Sequence, residues 1–211
     1  MDPKRLVADG YDRIAETYAA WVEGDSTTLR DSHLALLEAQ LPAGASVLDL
    51  GCAAGIPVAR RLAARFQVTG VDISERQVAL ARRNVPTASF VHGDMAAQDF
   101  EDASFDAVVA FFSIFHLPRD EHAALFEKIA RWLRPGGLLV ASTGARSDPG
   151  TVEDDWHDWL GAPMYWSYHQ SAVTLDLLRA SGLEVVRASE ETSDEDGQPV
   201  TFLWLVARKP A

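Results

Sequence analysis

The run Val47-Leu-Asp-Leu-Gly-Cys-Ala-Ala-Gly55 places two glycines between a short apolar strand pattern and a helical one. Glycine lets a backbone approach a ligand closely, and a helix start offers unpaired N–H groups to a carboxylate or phosphate. Asp72 ends the next apolar run, 21 residues after Gly51. A carboxylate there accepts hydrogen bonds from both hydroxyls of a ribose, as doubly wound domains do with adenosine ligands; it also suits the cap of a following helix. The third apolar run ends in Gly93-Asp94-Met95. Asp94 suits an adenine amino group or an ordinary turn, and Met95 offers an apolar face for a ring.

Groups that could move a proton lie further on. His116, in Ser113-Ile-Phe-His-Leu-Pro118, is a candidate general base, though a histidine before a proline-started helix also serves to order its loop. His169, Tyr165 and Tyr18 are the other candidates. The 27 residues from Gly144 to Gln170 hold three of the six tryptophans (Trp156, Trp159, Trp166), together with Tyr165, Tyr168, His157 and His169. A loop this long is usually functional, and aromatic walls bury apolar substrates or hold cations by their faces; packing within a lid or a dimer interface explains them equally well. His33, His92 and His122 read as surface or loop histidines, Cys52 as a buried thiol, and the run Glu190, Glu191, Asp194, Glu195, Asp196 as a solvated loop.

The elements that must position these groups follow from periodicity. Tyr11, Ile14, Ala15, Tyr18 and Trp21 recur at helical spacing, and a second helix, with Thr28 as its cap, sets Leu34, Leu37 and Leu41 on one stripe. Short strands at 47–50, 67–72, 89–92, 105–112 and 138–143 alternate with helices, one of them opened by a Ser74/Gln77 capping box. That rhythm predicts a doubly wound parallel α/β sheet with right-handed crossovers. The tail departs from it: Ser171 caps a helix ending at Gly182, then strands at 183–188 and 200–207 are joined by the acidic loop 190–198. Two strands joined without a helix must be antiparallel neighbours.

Together, Asp49-x-Gly-x-Ala-x-Gly55, Val71-Asp-Ile-Ser74, Gly93-Asp-Met95, Phe105-Asp-Ala-Val-Val109, Leu133-Arg-Pro-Gly-Gly137 and the opening Tyr11-Asp-Arg-Ile-Ala-Glu-Thr-Tyr18 resemble a class I S-adenosylmethionine-dependent methyltransferase of the small-molecule type. The resemblance implies a Rossmann-like doubly wound sheet of seven strands, mostly parallel with one antiparallel C-terminal strand, and helices on both faces. It implies S-adenosyl-L-methionine as cofactor and methyl transfer to a small acceptor. Gly51, Ala53 and Gly55 would lie against its methionine portion, Asp72 would hold the ribose, and Asp94 with Met95 the adenine. Phe112 would approach with its backbone and Tyr11 and Tyr18 would close over the methionine end, with Asp49 and Ile73 completing the set. Ala53 stands where the family has a glycine, and its methyl excludes some positive-φ conformations. The residues at the ends of the fourth and fifth strands, Phe-Ser-Ile and Thr-Gly-Ala, lack the carboxylates of metal-dependent members, so no metal is expected.

Composition limits the alternatives. Lys and Arg number 19 against 31 Asp and Glu, a net charge of −12 that argues against nucleic acid and anionic membrane as partners. One cysteine and no apolar run of the ~18 residues that span a bilayer predict one acidic cytoplasmic domain. It divides into a helical cap (1–45), a cofactor-binding core (46–143), an aromatic-rich acceptor lid (144–170) and a C-terminal segment (171–211). A nicotinamide-dependent oxidoreductase would need Gly-x-Gly-x-x-Gly, which Gly51-Cys-Ala-Ala-Gly55-Ile fits poorly. A non-catalytic adenosyl-binding module stays open.

Overall fold

Successive residues of each central strand point to opposite faces, and both faces are apolar. Val47, Val109, Val140 and Val206 enter one hydrophobic core, while Leu48, Val108, Leu139 and Leu205 enter the other. A sheet patterned this way must be covered by helices on both sides. The computed structural model describes residues 2–24, 28–145, 154–195 and 198–211.

The parallel strands are β1 (Ser46–Leu50), β2 (Gln67–Asp72), β3 (Ser89–His92), β4 (Phe105–Ala110) and β5 (Leu133–Gly144). They join β8 (Glu184–Glu195) and β9 (Gln198–Arg208) in a seven-stranded sheet ordered β3-β2-β1-β4-β5-β9-β8. β9 runs antiparallel to both neighbours, as the helix-free tail connection requires. Leu34 and Leu37 of α2 (Thr28–Gln40), Leu62 of α3 (Val58–Ala63) and Val78 of α4 (Glu75–Asn84) cover one face. Phe126 and Ile129 of α5 (His122–Trp132) and Leu178 of α6 (Ser171–Ala180) cover the other. The order reverses between β1 and β4, the switch point beside which open α/β sheets bind ligands.

Two elements lie over the carboxyl ends of the strands. The first is α1 (Pro3–Gly24), longer than the helix expected from its apolar stripe. The second is a hairpin within the aromatic insertion, β6 (Asp155–Trp159) paired with β7 (Ala162–Trp166); residues 146–153 lie outside the described residues. Gly10 lets β7 meet α1, since a Cβ there would come within 2.9 Å of Met164.

Several local expectations need correction. The acidic segment is strand, not loop: Glu190 and Glu191 pair with Leu203 and Phe202, and β8 continues to Glu195, with Asp196 outside the described residues. Tertiary pairing with the apolar β9 overrides the weak strand preference of this segment. His33 and His122 are buried, at 2% and 1% exposure, while His92 is exposed. The His33 ring lies tilted against Trp204, with centroids 5.1 Å apart, and its Nδ1 bonds the Leu29 carbonyl. Ser171 is the first residue of α6 rather than its cap, and its hydroxyl is buried without a partner among the described residues. The helix α2 begins at Thr28 itself, and residues 25–27 lie outside the described ones. Only half of the capping box forms. The Gln77 N–H donates to Ser74 Oγ, but the Ser74 N–H is taken by Asp72 Oδ1.

Candidate active site

The glycine turn after β1 adopts a left-handed backbone at three alternate positions, Gly51 (φ 77°), Ala53 (φ 45°) and Gly55 (φ 74°). Ala53 therefore keeps the positive φ that its methyl disfavours. Gly51 has no room for a side chain, because a Cβ would stand 2.2 Å from that of Ser113. Gly55 packs instead against α4, where a Cβ would meet Ala81 and Val85 at 3.2–3.3 Å.

Asp72, at the end of β2, ties this turn to the next helix. Its Oδ2 accepts from the Ala53 N–H at 2.8 Å and its Oδ1 from the Ser74 N–H at 2.9 Å. Burial pushes its carboxyl up to about 6, against the pull of those two amides. Helix capping and ligand binding are thus compatible roles, because each carboxylate oxygen has a second lone pair. Asp49 is buried beneath the turn, where desolvation, and then the charge of Asp72, raise it to about 7. Among the described residues its Oδ2 has no hydrogen-bond partner.

A narrow cavity of about 50 Å³ lies over the strand ends. Gly51, Ala53, Asp72, Ile73, Asp94, Met95 and Phe112 line it from below, and Lys4, Val7, Tyr11 and Tyr18 of α1 from above. Lys4 carries no signal in the sequence, yet its ammonium bridges Asp94 Oδ2, at 2.7 Å, and Glu121. Phe112 holds a left-handed φ of 52°, with its N–H donating to Ser142 Oγ. A bulky residue held in that region is strain of the kind found at ligand sites.

A second cavity, of about 470 Å³, adjoins the first and shares Tyr11, Tyr18, Phe112 and His116 with it. Its walls are mostly rings, among them Trp159, Trp166 and Tyr168 of the insertion and Phe202 and Trp204 of β9. That Glu191 to Ser193 of β8 help to line it was hidden by the acidic composition of that segment, whereas β9 was legible as a strand but carried no local sign of its place in the cavity.

His116 sits where the cavities meet. Its Nδ1 lies 2.7 Å from the Tyr165 carbonyl and its Nε2 2.9 Å from the Tyr11 hydroxyl. Burial lowers its pKa to about 4, so the ring is neutral. Neither Tyr165 nor His169 lines either cavity. The Tyr165 phenol is buried and pushed up to about 12, chiefly by desolvation. His169 Nε2 bonds the Arg119 carbonyl. Cys52 is buried and burial raises its thiol well above the ordinary range. His157 pairs with Asp155 at 3.2 Å, and among the described residues no three His, Cys, Asp or Glu side chains converge as metal ligands.

The donor set fits S-adenosylmethionine on structural grounds. The Gly51 cradle excludes any side chain, two carboxylates stand at adjacent strand ends for a diol and an amine, and Asp49 keeps a buried oxygen without a donor. Sheet order, glycine turn and strand-end carboxylates define a Rossmann-like domain of the methyltransferase type. Residues 47–137 match the family described as "Methyltransferase domain". The chain is 31% identical over 210 residues to the dTDP-3-amino-3,6-dideoxy-alpha-D-glucopyranose N,N-dimethyltransferase of Streptomyces fradiae, covering 95% of this chain and 73% of that protein. It is 33% identical over 180 residues to the 2-methyl-6-phytyl-1,4-hydroquinone methyltransferase of Synechocystis, 81% of this chain but only 53% of that protein, so it spans about half the length of that relative. In fold it resembles the 1,6-didemethyltoxoflavin-N1-methyltransferase of Burkholderia thailandensis, whose crystal structure holds 1,6-didemethyltoxoflavin and S-adenosylhomocysteine. The TM-score is 0.70 at 22% identity, over 97% of this chain and 87% of that one. The chain belongs to the class I S-adenosylmethionine-dependent methyltransferases.

Proposed function

We propose that this chain transfers a methyl group from S-adenosylmethionine to a small-molecule acceptor, releasing S-adenosylhomocysteine. The observation that carries the reading is the junction of the two cavities, the smaller over the glycine turn and the larger walled by aromatic rings, at Tyr11, Tyr18, Phe112 and His116. The names of relatives, which include a sugar dimethyltransferase and a hydroquinone methyltransferase, support a small acceptor.

S-adenosylmethionine supplies a methyl group already activated on a sulfonium, so the protein's task is to align the acceptor and exclude water. Asp72 holds the ribose hydroxyls and Asp94 with Met95 the adenine. Gly51 and Ala53 bind the methionine portion, with Ile73 and Phe112 completing the wall; Gly55, packed against α4, and Asp49, buried beneath the turn, hold its shape rather than touch the ligand. Tyr11 and Tyr18 close the junction. His116 is the base; Tyr165 positions it through its carbonyl, and His169 orders the adjoining loop.

Residues 1–45 act as a cap, 46–143 as the cofactor core, 144–170 as the acceptor lid and 171–211 as its far wall. No helix among the described residues is long and apolar enough to cross a membrane. A cytoplasmic location belongs to this reading, and the single cysteine, Cys52, is compatible with a reducing compartment. The net charge of −12 supports a partner other than nucleic acid.

Calorimetric titration with S-adenosylhomocysteine, S-adenosylmethionine and NADH tests the reading. Binding of the adenosyl pair alone supports it. Heat with NADH alone, or with none of the three, removes it.

A further inference from the structure

The protonation of His116 is fixed by its neighbours. A carbonyl only accepts, so the 2.7 Å contact with the Tyr165 oxygen puts the ring proton on Nδ1. Nε2 then presents a lone pair, and the Tyr11 hydroxyl donates to it at 2.9 Å. The ring is 8% exposed and is braced edge-on by Tyr11 and Phe115, so this orientation is built in. A phenol thus already occupies the point where both cavities meet.

We propose that the acceptor is a flat hydroxyarene whose hydroxyl replaces that of Tyr11 on His116 Nε2. This names the acceptor class for the methyltransferase function proposed above and rests on that reading. Phe112 stands nearly perpendicular to both Phe202 and Trp204, with ring centroids 5.0 and 5.4 Å apart, and all three line the larger cavity. Its volume of about 470 Å³ lies within the range of small-molecule sites, and ring walls favour planar guests by stacking and edge contacts. Among the described residues the charged side chains of its lining are Arg30, which is buried, and Asp155 and Glu191, which are exposed. The lone pair on Nε2 calls for a donor, which a hydroxyl is and a methyl ether is not.

The acceptor oxygen forms its bond to the methyl carbon as the carbon–sulfur bond of the sulfonium breaks, the bonding pair going to sulfur. The phenolic proton passes to His116 Nε2 and from the imidazolium to water.

Fluorescence titration of 7-hydroxycoumarin and 7-methoxycoumarin into protein saturated with S-adenosylhomocysteine reads this without turnover. The hydroxy compound is expected to bind wild type at least tenfold tighter than the methyl ether. Tyr11→Phe, which removes the competing hydroxyl but keeps the ring, should tighten the hydroxy compound several-fold and retain the preference. His116→Ala should abolish the preference. Equal affinity of the two coumarins, no binding of either, or a preference that survives His116→Ala overturns the acceptor class while leaving the cofactor reading intact. Absence of S-adenosylhomocysteine binding removes the cofactor reading itself, and the acceptor class with it.

Discussion

Asp72 Oδ2 accepts the Ala53 N–H at 2.8 Å, so the carboxylate that ends β2 fixes the turn that follows β1. The same carboxylate caps α4 through Ser74. In the proposed site, replacing it acts twice, on the ribose contact and on the shape of the turn. Asp72→Ala should weaken S-adenosylhomocysteine binding by about 1.5–3 kcal/mol, the worth of hydrogen bonds to a charged group. Because burial raises this carboxyl to about 6, the ionised form that accepts a diol dominates only above that pH. Wild-type affinity should therefore fall on acidification from about pH 7.5 to about pH 5, and the variant should lose that dependence. Calorimetry at the two pH values decides it; unchanged affinity in the variant would remove Asp72 from the site.

Ala53 and Gly51 both hold positive φ, but their surroundings differ. Gly51 faces Ser113 at a distance that leaves no place for a methyl, whereas Ala53 already carries one. Ala53→Gly relieves a left-handed alanine and so should raise stability, or leave it unchanged, by up to about 1 kcal/mol. Gly51→Ala should abolish cofactor binding and destabilise the fold by roughly 1–3 kcal/mol. Urea unfolding of the pair reads both signs, and a neutral Gly51→Ala would contradict the cradle.

The ammonium of Lys4 occupies Asp94 Oδ2, while Asp94 Oδ1 takes the Ala96 N–H. Burial works against the Lys4 charge, but hydrogen bonds to Asp94 and Glu121 outweigh it and raise its pKa. In the proposed site, adenine would share or displace this contact. Lys4→Met should therefore tighten S-adenosylhomocysteine binding by about 0.2–1 kcal/mol, the usual worth of a partly exposed ion pair. High salt should produce the same tightening in wild type and none in the variant. A weaker-binding variant would make Lys4 a cofactor contact instead.

The parts of this arrangement that the sequence disclosed are those with short-range signatures. Val47 to Gly55 announces strand, turn and helix by residue type alone, and the position of Asp72 follows from strand length. Lys4 reaches Asp94 across 90 positions, and nothing local to either residue encodes the meeting. The β8 extension was obscured because Glu190 to Glu195 carries the charge of a loop; its strand character comes from pairing with Leu203, Phe202 and Val200. His33 and His122 read as surface groups because histidine is amphipathic, and their burial depends on backbone carbonyls, those of Leu29 and Leu117, that satisfy one ring nitrogen each. His116 was legible as a candidate, but its tautomer depends on the Tyr165 carbonyl, 49 positions away.

Gly144 belongs to the larger cavity alone. A Cβ there would lie 2.6 Å from the Tyr168 ring, and both residues line the larger cavity but not the smaller. Gly144→Ala should displace that ring, costing about 1–3 kcal/mol of local packing, and weaken acceptor binding. The S-adenosylhomocysteine affinity should stay as in wild type. Parallel titrations with the nucleoside and with 7-hydroxycoumarin measure the two halves, and equal losses in both would show that the cavities do not divide the labour.

Buried groups of opposite kind set the pH dependence of stability. His116 and His122 are held neutral with pKa values near 4, so acid favours the unfolded chain, which binds their protons from about pH 6.5 downward. Asp49 and Asp72 are raised to about 7 and about 6, so the folded chain binds their protons first and gains stability as pH falls toward 4. The two trends oppose each other between about pH 4 and pH 6.5, and the wild-type curve should be shallow there. Asp49→Asn removes one carboxylate and any penalty for its charge. Relative to wild type it should be most favourable at about pH 8, where Asp49 is ionised and buried, and should lose roughly 2–3 kcal/mol of that relative standing by about pH 4.5. Urea midpoints for both proteins at the two pH values give the difference directly. A difference that does not change with pH would mean that Asp49 titrates as an ordinary carboxylate and that its burial is relieved by a donor.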